Sequence, residues 1–398
     1  NLSKYINIKK SYYLKKSNSF KFITSNSKLT NKNTIFFYDT NSKVKKKYLD
    51  EAIRNNVPAI ISNKYNKFIK KPQFIVSNIK LETDKLLKQI YKKLPNKSIA
   101  ITGTNGKTSV VWYLSKILTL LNYNNSTVGT LGYFKNNIKI DKTTLTTPAY
   151  EELYKYGSSY KEKKHIFIFE ASSHALDQNR LRNYPVDIAA ITNISNDHLD
   201  YHKNISNYKK AKFKLFTKHL SKDGCAIINS RIKNIELLKK KLLKNNVNLK
   251  YFGNKLISLK KENNKINLKI NNKKYKFLKL KLNNEIELEN LECALAILLE
   301  LNIKIEKIIP LLSKVTNPPG RLQKIHYKKK KSIIVIDYAH TPDALKKTLI
   351  TLKNKSKKPV LVFGCGGDRD KSKRKTMGLI ARTYASRAYI TDDNPRNE

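Results

Sequence analysis

Short apolar runs alternate with amphipathic stretches along the chain, a pattern that is typical of α/β proteins. In the first hundred residues the apolar runs lie at 33–39, 58–62 and 73–77. Farther on, "SIAIT" (98–102) predicts a buried strand, and apolar residues then recur at helical spacing over 110–121. The pattern predicts a small α/β domain, followed by a strand, a loop and a helix.

Five later strands of the same kind end directly before residues that can take part in chemistry. They are "HIFIF" (165–169) before Glu170, "DIAAIT" (187–192) before Asn193 and Asp197, "SIIVI" (332–336) before Asp337 and His340, "PVLVF" (359–363) before "GCGGDRDKSKR", and "RAYIT" (387–391) before "DDNPR". Ligands of parallel α/β sheets bind beyond the carboxyl ends of the strands. We therefore expect these residues to line one shared cleft.

The loop after the strand at 98–102 is a variant of the phosphate-binding loop. The usual pattern places a glycine five positions before the second glycine, but Ile101 stands there, and only the core G-x-x-G-K-T remains. Backbone N–H groups, the helix N-terminus and the charge of Lys107 favour an anion, and Thr108 offers a hydroxyl to Mg²⁺. The alternative interpretation is an ordinary tight turn.

The chain is strongly basic, with 81 Lys and Arg against 30 Asp and Glu and a net charge of +51. The lysines are spread along the chain, in runs such as 45–47 and 328–331, and are predicted to form a solvated surface. No specific nucleic-acid partner is expected, although nonspecific binding stays an alternative. Alternation over 263–282 around Asn271 and Asn272 predicts a two-sided hairpin.

No apolar run approaches the roughly 18 residues of a membrane span, and the first residues lack the apolar block of a signal peptide. We expect a cytoplasmic protein without a membrane partner, and a monomer. Cys225, Cys293 and Cys365 follow no C-x-x-C spacing, so neither a disulfide framework nor a zinc site is indicated. All three are predicted to be buried.

A set of motifs from about residue 98 to the end resembles the Mur ligase family. The motifs are "TGTNGKTS" (102–109), "LTTP" (145–148), "EASSHALDQNR" (170–180), "NISNDHLDYH" (193–202), "YKKAKFKLF" (208–216), "PGR" (319–321), "DYAHTPDAL" (337–345), "GCGGDRDKSKR" (364–374) and "DDNPR" (392–396). The resemblance implies a three-domain α/β architecture with a central P-loop-type, mostly parallel sheet and a Rossmann-like C-terminal domain. The implied domains are 1–97 for the UDP-sugar, 98–317 for ATP and 318–398 for the amino acid. Because the family domain continues farther, we expect the last domain to be incomplete and the chain to be a fragment.

The resemblance also implies an ATP-dependent, ADP-forming amide ligase of peptidoglycan biosynthesis. Such an enzyme adds meso-2,6-diaminopimelate to UDP-N-acetylmuramoyl-L-alanyl-D-glutamate through an acyl phosphate. The residues implied for ATP are Gly103, Thr104, Asn105, Gly106, Lys107, Thr108, Ser109, Asn290, Arg321 and Asp337. Those implied for Mg²⁺ are Thr108, Glu170, His198 and a carbamylated Lys212, and the implied catalytic residues are Lys107, His198 and Lys212. For Asn290, helix N-capping is an equally weighted alternative.

The resemblance also assigns substrate-binding residues, but the match to the family pattern is weaker at the uridine pocket. The nucleotide-sugar peptide is assigned to Ser27, Thr146, Thr147, Ser172, Gln178 and Arg180, and the amino acid to Arg369, Asp393, Asn394, Pro395 and Arg396. The usual Asp-Ser-Arg of the uridine pocket is Asn26-Ser27-Lys28 here, and a lysine does not reproduce the fork of a guanidinium. The alternatives are the same ligase acting on L-lysine, a ligase similar to folylpolyglutamate synthetase, and an inactive basic remnant.

Overall fold

The computed structural model describes most of the chain, which divides into two compact units. The described residues are 2–13, 20–41, 46–158, 160, 164–254, 256–262, 265–271, 273–277, 280–282, 284–327, 332–353, 358–368 and 370–398. The first unit comprises residues 1–96, 148–164 and 180–184, and the second unit comprises 97–147, 165–179 and 185–398. Of the residues named above, Lys45, Asn272, Lys328 to Lys331 and Arg369 lie outside the described residues.

The helices and strands alternate along much of the chain. The strands are β1 Lys10–Tyr12, β2 Phe22–Thr24, β3 Thr34–Tyr38, β4 Ile60–Ser62, β5 Gln73–Ile75, β6 Lys97–Thr102, β7 Asn125–Gly129, β8 Gly132–Lys135, β9 Ile138–Asp141, β10 Ile166–Glu170, β11 Val186–Ile191, β12 Leu220–Asn229, β13 Asn248–Phe252, β14 Ile257–Glu262, β15 Lys265–Ile270, β16 Lys273–Phe277, β17 Gln323–Tyr327, β18 Ser332–Ile336, β19 Val360–Phe363 and β20 Arg387–Ile390. The α-helices are α1 Lys46–Arg54, α2 Ile79–Ile90, α3 Lys107–Leu120, α4 Tyr150–Gly157, α5 Ser173–Asp177, α6 Leu199–His202, α7 Ile205–Lys214, α8 Glu236–Lys244, α9 Glu285–Glu300, α10 Ile305–Ile308, α11 Pro342–Leu352 and α12 Ser372–Tyr384.

The first unit is built on a five-stranded sheet in the order β1-β5-β4-β3-β2. Strands β2 to β5 are parallel, and β1 pairs antiparallel with β5. Phe36 of β3 and Ile60 of β4 pack with Leu49 and Ala52 of α1 in a buried cluster. The three apolar runs of the first hundred residues therefore form β3, β4 and β5, as predicted.

The second unit contains an eight-stranded sheet in the order β13-β12-β11-β6-β10-β7-β8-β9. Its first six strands are parallel, whereas β8 and β9 are antiparallel, which confirms the mostly parallel central sheet. Glu170 pairs with Ile101, and Ile191 pairs with Thr102. This register brings the loop after β6, the end of β10 and the loop after β11 to the same edge of the sheet.

Helices α3 and α9 cover this sheet with apolar side chains that share one large buried cluster. Helix α9 begins after Asn284, whose side chain accepts a hydrogen bond from the backbone N–H of Glu287 in a capping box. Asn290 lies inside the helix, so the N-capping alternative for this residue is wrong. The sheet β14-β15-β16 is antiparallel and confirms the hairpin predicted around Asn271.

The described residues after 318 form two small sheets, so the five strands that precede the candidate residues do not all belong to one sheet. Strand β18 pairs antiparallel with β17, and β19 pairs in parallel with β20, so neither pair extends the central sheet. Apolar alternation predicts a strand but not its partner, so these pairings could not be predicted from the sequence. Leu345, Leu349 and Met377 form the buried cluster between α11 and α12.

The three cysteines differ in their burial. Cys225 and Cys293 are buried as predicted, whereas Cys365 is only half-buried, with its sulfur 3.7 Å from the sulfur of Met377. Among the described residues, no helix combines the length and the apolar character that crossing a bilayer requires. The predicted domain boundaries stay a prediction, because residues 98–317 and 318–398 both belong largely to the second unit.

Candidate active site

Two glycines shape the loop between β6 and α3. Gly103 has φ 146° and Gly106 has φ 87°, both in the region that side chains disfavour. A Cβ added at Gly103 would lie 1.9 Å from the hydroxyl oxygen of Thr192, and one at Gly106 would lie 2.1 Å from Oδ1 of Asn290. The loop thus passes close to the side chains of Thr192 and Asn290. It leads directly into α3, whose first backbone N–H groups favour an anion.

Lys107 folds back over this loop. Its ammonium group donates to the carbonyl oxygens of Gly103, at 2.8 Å, and Thr104, at 2.9 Å. Burial lowers the pKa of Lys107, and the charge of Arg321 lowers it further, while Glu170 and Asp197 act in the opposite direction. The environment therefore favours an additional negative charge beside Lys107, which a phosphate group would supply.

Glu170 and Thr108 form a buried oxygen pair next to the loop. The Thr108 hydroxyl donates to Oε1 of Glu170 at 3.0 Å, and the backbone N–H of Thr130 donates to the same oxygen at 2.8 Å. Arg321 donates to the Thr108 hydroxyl at 3.3 Å, and its guanidinium carbon lies 4.4 Å from the ring centre of Tyr338. Carboxylate and hydroxyl oxygens are the ligands that Mg²⁺ prefers, so this pair fits the predicted magnesium ion.

His198 and Asp197 follow β11 at the same edge of the sheet. His198 adopts φ 53° and precedes α6, and its Nε2 lies 3.3 Å from Oδ2 of the buried Asp197. Burial lowers the pKa of His198 to about 3, although the carboxylate of Asp197 acts in the opposite direction. The imidazole is therefore neutral at physiological pH, which is the form that binds a metal ion.

Lys212 of α7 reaches the phosphate loop from the other side. It is 1% exposed, its ammonium donates to the carbonyl oxygen of Gly103 at 2.8 Å, and its Nζ lies 4.4 Å from the ring centre of Tyr208. Burial holds its pKa well below the usual range, and the nearby charge of Lys107 acts in the same direction. The carbonyl oxygen of Gly103 thus accepts hydrogen bonds from both Lys107 and Lys212, the two lysines that the family resemblance marks as catalytic.

The loop after β11 also holds the phosphate loop in place. The side chain of Asn193 pairs with both backbone groups of Asn105: its Oδ1 accepts from the N–H at 2.9 Å, and its Nδ2 donates to the carbonyl at 3.1 Å. The Thr192 hydroxyl donates to the same carbonyl at 2.6 Å, and Tyr208 donates to the Thr104 hydroxyl at 3.1 Å. The sequence marked Asn193 as a residue after a strand, but it indicated no partner for it.

Several of the predicted substrate residues lie around Glu170. The Thr147 hydroxyl donates to the Glu170 carbonyl at 2.8 Å and lies 3.1 Å from the Ser172 hydroxyl, and Ser172 caps α5. The hydroxyl of Thr146 lies 3.4 Å from that of Thr130. Gln178 ends α5, with its amide nitrogen 3.4 Å from the Tyr201 hydroxyl.

Ser27 and Arg180 belong to the first unit. Ser27 is buried, and its hydroxyl donates to Glu51 at 2.6 Å. The first unit also contains a cavity of about 360 Å³ beyond the ends of β3 and β4, and Tyr38, Ser62 and Tyr65 are among its lining residues.

The predicted amino-acid residues fold against the glycine-rich segment at 364–367. The guanidinium of Arg396 donates to the Gly367 carbonyl at 2.9 Å, and the N–H of Gly367 donates to the Asn394 carbonyl at 3.1 Å. Asp393 lies beside Gly364, and Pro395 lies so close to Gly367 that a Cβ on Gly367 would overlap its backbone. Asp337 accepts hydrogen bonds from the backbone N–H of Leu322 and the Thr348 hydroxyl, at 2.8 and 3.2 Å.

Comparison with known proteins decides the family. Residues 101–298 match the Mur ligase middle domain, and residues 320–398 match the Mur ligase, glutamate ligase domain. The UDP-N-acetylmuramoyl-L-alanyl-D-glutamate--2,6-diaminopimelate ligase of Rickettsia bellii is 38% identical over 395 residues, which cover 95% of this chain and 81% of the relative. The chain belongs to the Mur ligase family.

Solved structures give the same fold for this Mur ligase. A UDP-N-acetylmuramoyl-L-alanyl-D-glutamate--2,6-diaminopimelate ligase superposes with a TM-score of 0.66 at 28% identity, covering 95% of this chain and 80% of the other. A Mycobacterium tuberculosis folylpolyglutamate synthase complexed with ADP gives a TM-score of 0.61 at 18% identity, covering 77% and 75% of the two chains, and shows similarity of fold alone. The predicted family, α/β fold class and ligase class are confirmed.

Asn193 gives a direct test of how this Mur ligase holds its phosphate loop. Replacing Asn193 by Ala removes two hydrogen bonds to Asn105, each contributing about 1 kcal/mol, and we expect the KM for ATP to rise about tenfold or more. The KM for the amine should stay within about twofold, because these bonds position the loop alone. Steady-state kinetics with each substrate varied in turn measures both values.

The matched control is Asn196→Ala, in the same loop and exposed to solvent. We expect this variant to keep the wild-type KM for ATP. Equal effects of the two substitutions on KM, or an unchanged KM in Asn193→Ala, would show that the amide pairing does not position the loop.

Proposed function

We propose that this Mur ligase joins meso-2,6-diaminopimelate to UDP-N-acetylmuramoyl-L-alanyl-D-glutamate and converts ATP to ADP and phosphate. The observation that carries the proposal is the convergence of Lys107, the Thr108–Glu170 pair and Arg321 at one glycine loop. The names of the relatives supply the substrates.

Formation of an amide from a carboxylate and an amine in water is uphill, so the carboxyl group needs a better leaving group than oxide. In the proposed reaction, a carboxylate oxygen of the peptide attacks the γ-phosphorus of ATP, and ADP leaves. The amine of the amino acid then attacks the acyl carbon, loses a proton and expels phosphate. Both steps gather negative charge in a small volume, and neutralisation of this charge is the main task of the protein.

The residues at the loop have the chemistry for that task. Lys107 and the backbone N–H groups at the start of α3 would hold the terminal phosphates, and Arg321 would add a second positive charge. Thr108, Glu170 and His198 would hold Mg²⁺, which neutralises phosphate oxygens when it is bound. Asn290 of α9 lies against Gly106, and Asp337 directly follows β18. The assignment of Asn290 to adenine and of Asp337 to ribose rests on the family resemblance.

Lys212 would act as a carbamate. Only the neutral amine reacts with CO₂, and burial together with the charge of Lys107 favours the neutral amine of Lys212. The modification would convert this buried amine beside Lys107 into an anion that suits Mg²⁺. Its nitrogen lies 2.8 Å from the Gly103 carbonyl, so the carbamate would lie next to the phosphate loop.

The substrate ends would be held by different parts of the chain. Thr146, Thr147 and Ser172 offer hydroxyl groups near Glu170 for the peptide and its phosphates. The assignment of Gln178 and of Arg180 to the same substrate rests on the family resemblance. In the first unit, the cavity lined by Tyr38 and Tyr65 would accept a uracil ring. Ser27 is not among the lining residues of this cavity, so its assignment to the substrate rests on the family resemblance. Arg396 would bind the second carboxylate of diaminopimelate, with Asp393, Asn394 and Pro395 shaping its loop.

A panel of amines tests the proposal. The chain is mixed with ATP, Mg²⁺ and UDP-N-acetylmuramoyl-L-alanyl-D-glutamate, and the release of phosphate is measured with meso-diaminopimelate, L-lysine or L-glutamate. We expect rapid release with meso-diaminopimelate, at least about tenfold slower release with L-lysine, and a product whose mass has grown by one diaminopimelate residue. A mixture without the peptide substrate is the control for uncoupled ATP hydrolysis.

Other outcomes identify the alternatives. Preference for L-lysine would make the chain a lysine-adding ligase, and glutamate addition to a folate would make it a folylpolyglutamate synthetase. Absence of nucleotide-dependent product with every amine, together with salt-sensitive RNA binding, would support an inactive basic remnant. We further propose that the enzyme acts in the cytoplasm as a monomer.

A further inference from the structure

We infer that Asp197, His198 and His340 form a binding site for a divalent ion that favours imidazole ligands, such as Zn²⁺ or Mn²⁺. Their ligand atoms all lie within 4.8 Å of one another. Oδ2 of Asp197 is 3.3 Å from Nε2 of His198 and 3.6 Å from Nε2 of His340. Asp197 and His198 follow β11, whereas His340 follows β18, so the site joins two motifs that are far apart in sequence.

The distances suit a small coordination sphere. With metal–ligand bonds of about 2.0–2.1 Å, neighbouring ligand atoms of a tetrahedral site are about 3.3–3.4 Å apart. The two separations that involve Asp197 are close to this value. The side chains of His198 and His340 are 31% and 38% exposed, so their rings have room for the small rotations that would close the third separation.

The hydrogen bonds around His340 orient it as a ligand. Its Nδ1 lies 3.0 Å from the Tyr338 carbonyl, to which only an N–H can donate. With Nδ1–H donating to this carbonyl, Nε2 is the ring nitrogen that faces the carboxylate of Asp197, at 3.6 Å from Oδ2. Metal-binding histidines commonly donate their other N–H to a backbone carbonyl in this way.

Two further hydrogen bonds position the carboxylate of Asp197 and the backbone of His340. Oδ1 of Asp197 accepts from the backbone N–H of His198 at 2.9 Å, which directs Oδ2 toward the two imidazoles. Lys373 donates to the His340 carbonyl at 2.8 Å and holds the backbone of this loop. Oδ2 of Asp197 therefore faces Nε2 of both imidazoles at separations that suit ligands of one ion.

This site differs from the set of Thr108, Glu170 and His198 proposed for Mg²⁺, with which it shares only His198. Mg²⁺ keeps oxygen ligands in near-octahedral geometry, whereas a set of two imidazoles and one carboxylate favours Zn²⁺, Mn²⁺ or a related ion. Because His198 would take part in both sites, an ion held by Asp197 and His340 would remove one ligand from the Mg²⁺ set. A transition metal bound here would therefore inhibit the ligase.

A binding measurement on the nucleotide-free chain tests the inference without any substrate. Metal-free protein is titrated with Zn²⁺ at pH 7.5 in competition with a chelating dye, first as wild type and then as His340→Gln and Asp197→Asn. The matched control is His326→Gln, since His326 is an exposed histidine of β17. Circular dichroism and thermal unfolding establish that each variant is folded.

We expect one Zn²⁺ per wild-type chain to be held at this site, with at least about tenfold weaker binding in His340→Gln and Asp197→Asn. His326→Gln should bind as wild type. If Asp197→Asn does not fold, the Zn²⁺ affinity of His340→Gln still tests the inference, because His340 is half-exposed and its replacement should leave the fold intact. Equal Zn²⁺ affinity in wild type and His340→Gln would overturn the inference and would leave the ligase proposal intact, because neither ATP nor peptide takes part.

Discussion

Replacing Lys107 by Met is expected to lower kcat/KM for ATP by about 10³-fold and to leave the fold intact. The ammonium of Lys107 donates to the loop carbonyls of Gly103 and Thr104, and electrostatic groups of this kind contribute about 10²–10³ in rate. Met has a similar length and no charge, so the substitution removes the electrostatic contribution with little change in packing. Coupled detection of ADP release measures the effect.

The fold should tolerate this change because burial already disfavours the charged form of Lys107, as its lowered pKa indicates. The melting temperature of Lys107→Met is expected to equal or exceed that of wild type. Lys116→Met, on the same helix α3, is the matched control and should keep wild-type kinetics. If Lys107→Met retained kcat/KM within about threefold of wild type, the loop could not be the phosphate site.

The largest expected effect on stability concerns the ion pair between Arg231 and Glu292. Glu292 of α9 is fully buried, and its two oxygens accept from Arg231 at 2.6 and 3.1 Å. One of them also accepts from the backbone N–H of Leu259 at 2.7 Å. The pair thus links the end of β12, helix α9 and strand β14.

Arg231→Met leaves the carboxylate of Glu292 buried without its cation, and we expect the free energy of unfolding to fall by about 3–5 kcal/mol. Urea unfolding followed by the fluorescence of Trp112, the single tryptophan and a residue of the second unit, measures the loss. The double variant Arg231→Met, Glu292→Leu should recover much of it, although the N–H of Leu259 then lacks a partner, at a cost of about 1–3 kcal/mol.

The more exposed pair of Lys250 and Glu300 provides the comparison. Its atoms lie 2.5 Å apart, but the Lys250 side chain is 42% exposed, so Lys250→Met is expected to cost less than about 1 kcal/mol. Similar losses for Lys250→Met and Arg231→Met would show that burial of Glu292 does not set the strength of the first pair.

Local sequence patterns were sufficient for the parts of the fold that depend on neighbouring residues. The apolar run at 98–102, the glycines at 103 and 106 and the helical spacing after Lys107 predict β6, the loop and α3. The placement of Glu170 directly after a strand predicts its position at the sheet edge, because parallel strands end on the same side. The proposed roles of the residues at this sheet edge come from the resemblance of their motifs to those of the family.

Contacts between distant segments could not be predicted from the same patterns. The pairing of Asn193 with Asn105 depends on β11 lying beside β6, and the pairing of Arg231 with Glu292 depends on the packing of α9. Likewise, the run at 332–336 predicts β18, but only the structure reveals its antiparallel partner β17. Polar residue type and spacing indicate that a partner is needed without identifying it.

A crystal structure of the chain with a non-hydrolysable ATP analogue and Mg²⁺ tests the central claim most directly. We predict that the terminal phosphates lie against Lys107 and the first N–H groups of α3, with Mg²⁺ bound by Thr108 and Glu170 and with His198 facing the same ions. A nucleotide bound elsewhere, with Lys107 still donating to the carbonyls of Gly103 and Thr104, would contradict the assignment of this loop as the ATP site.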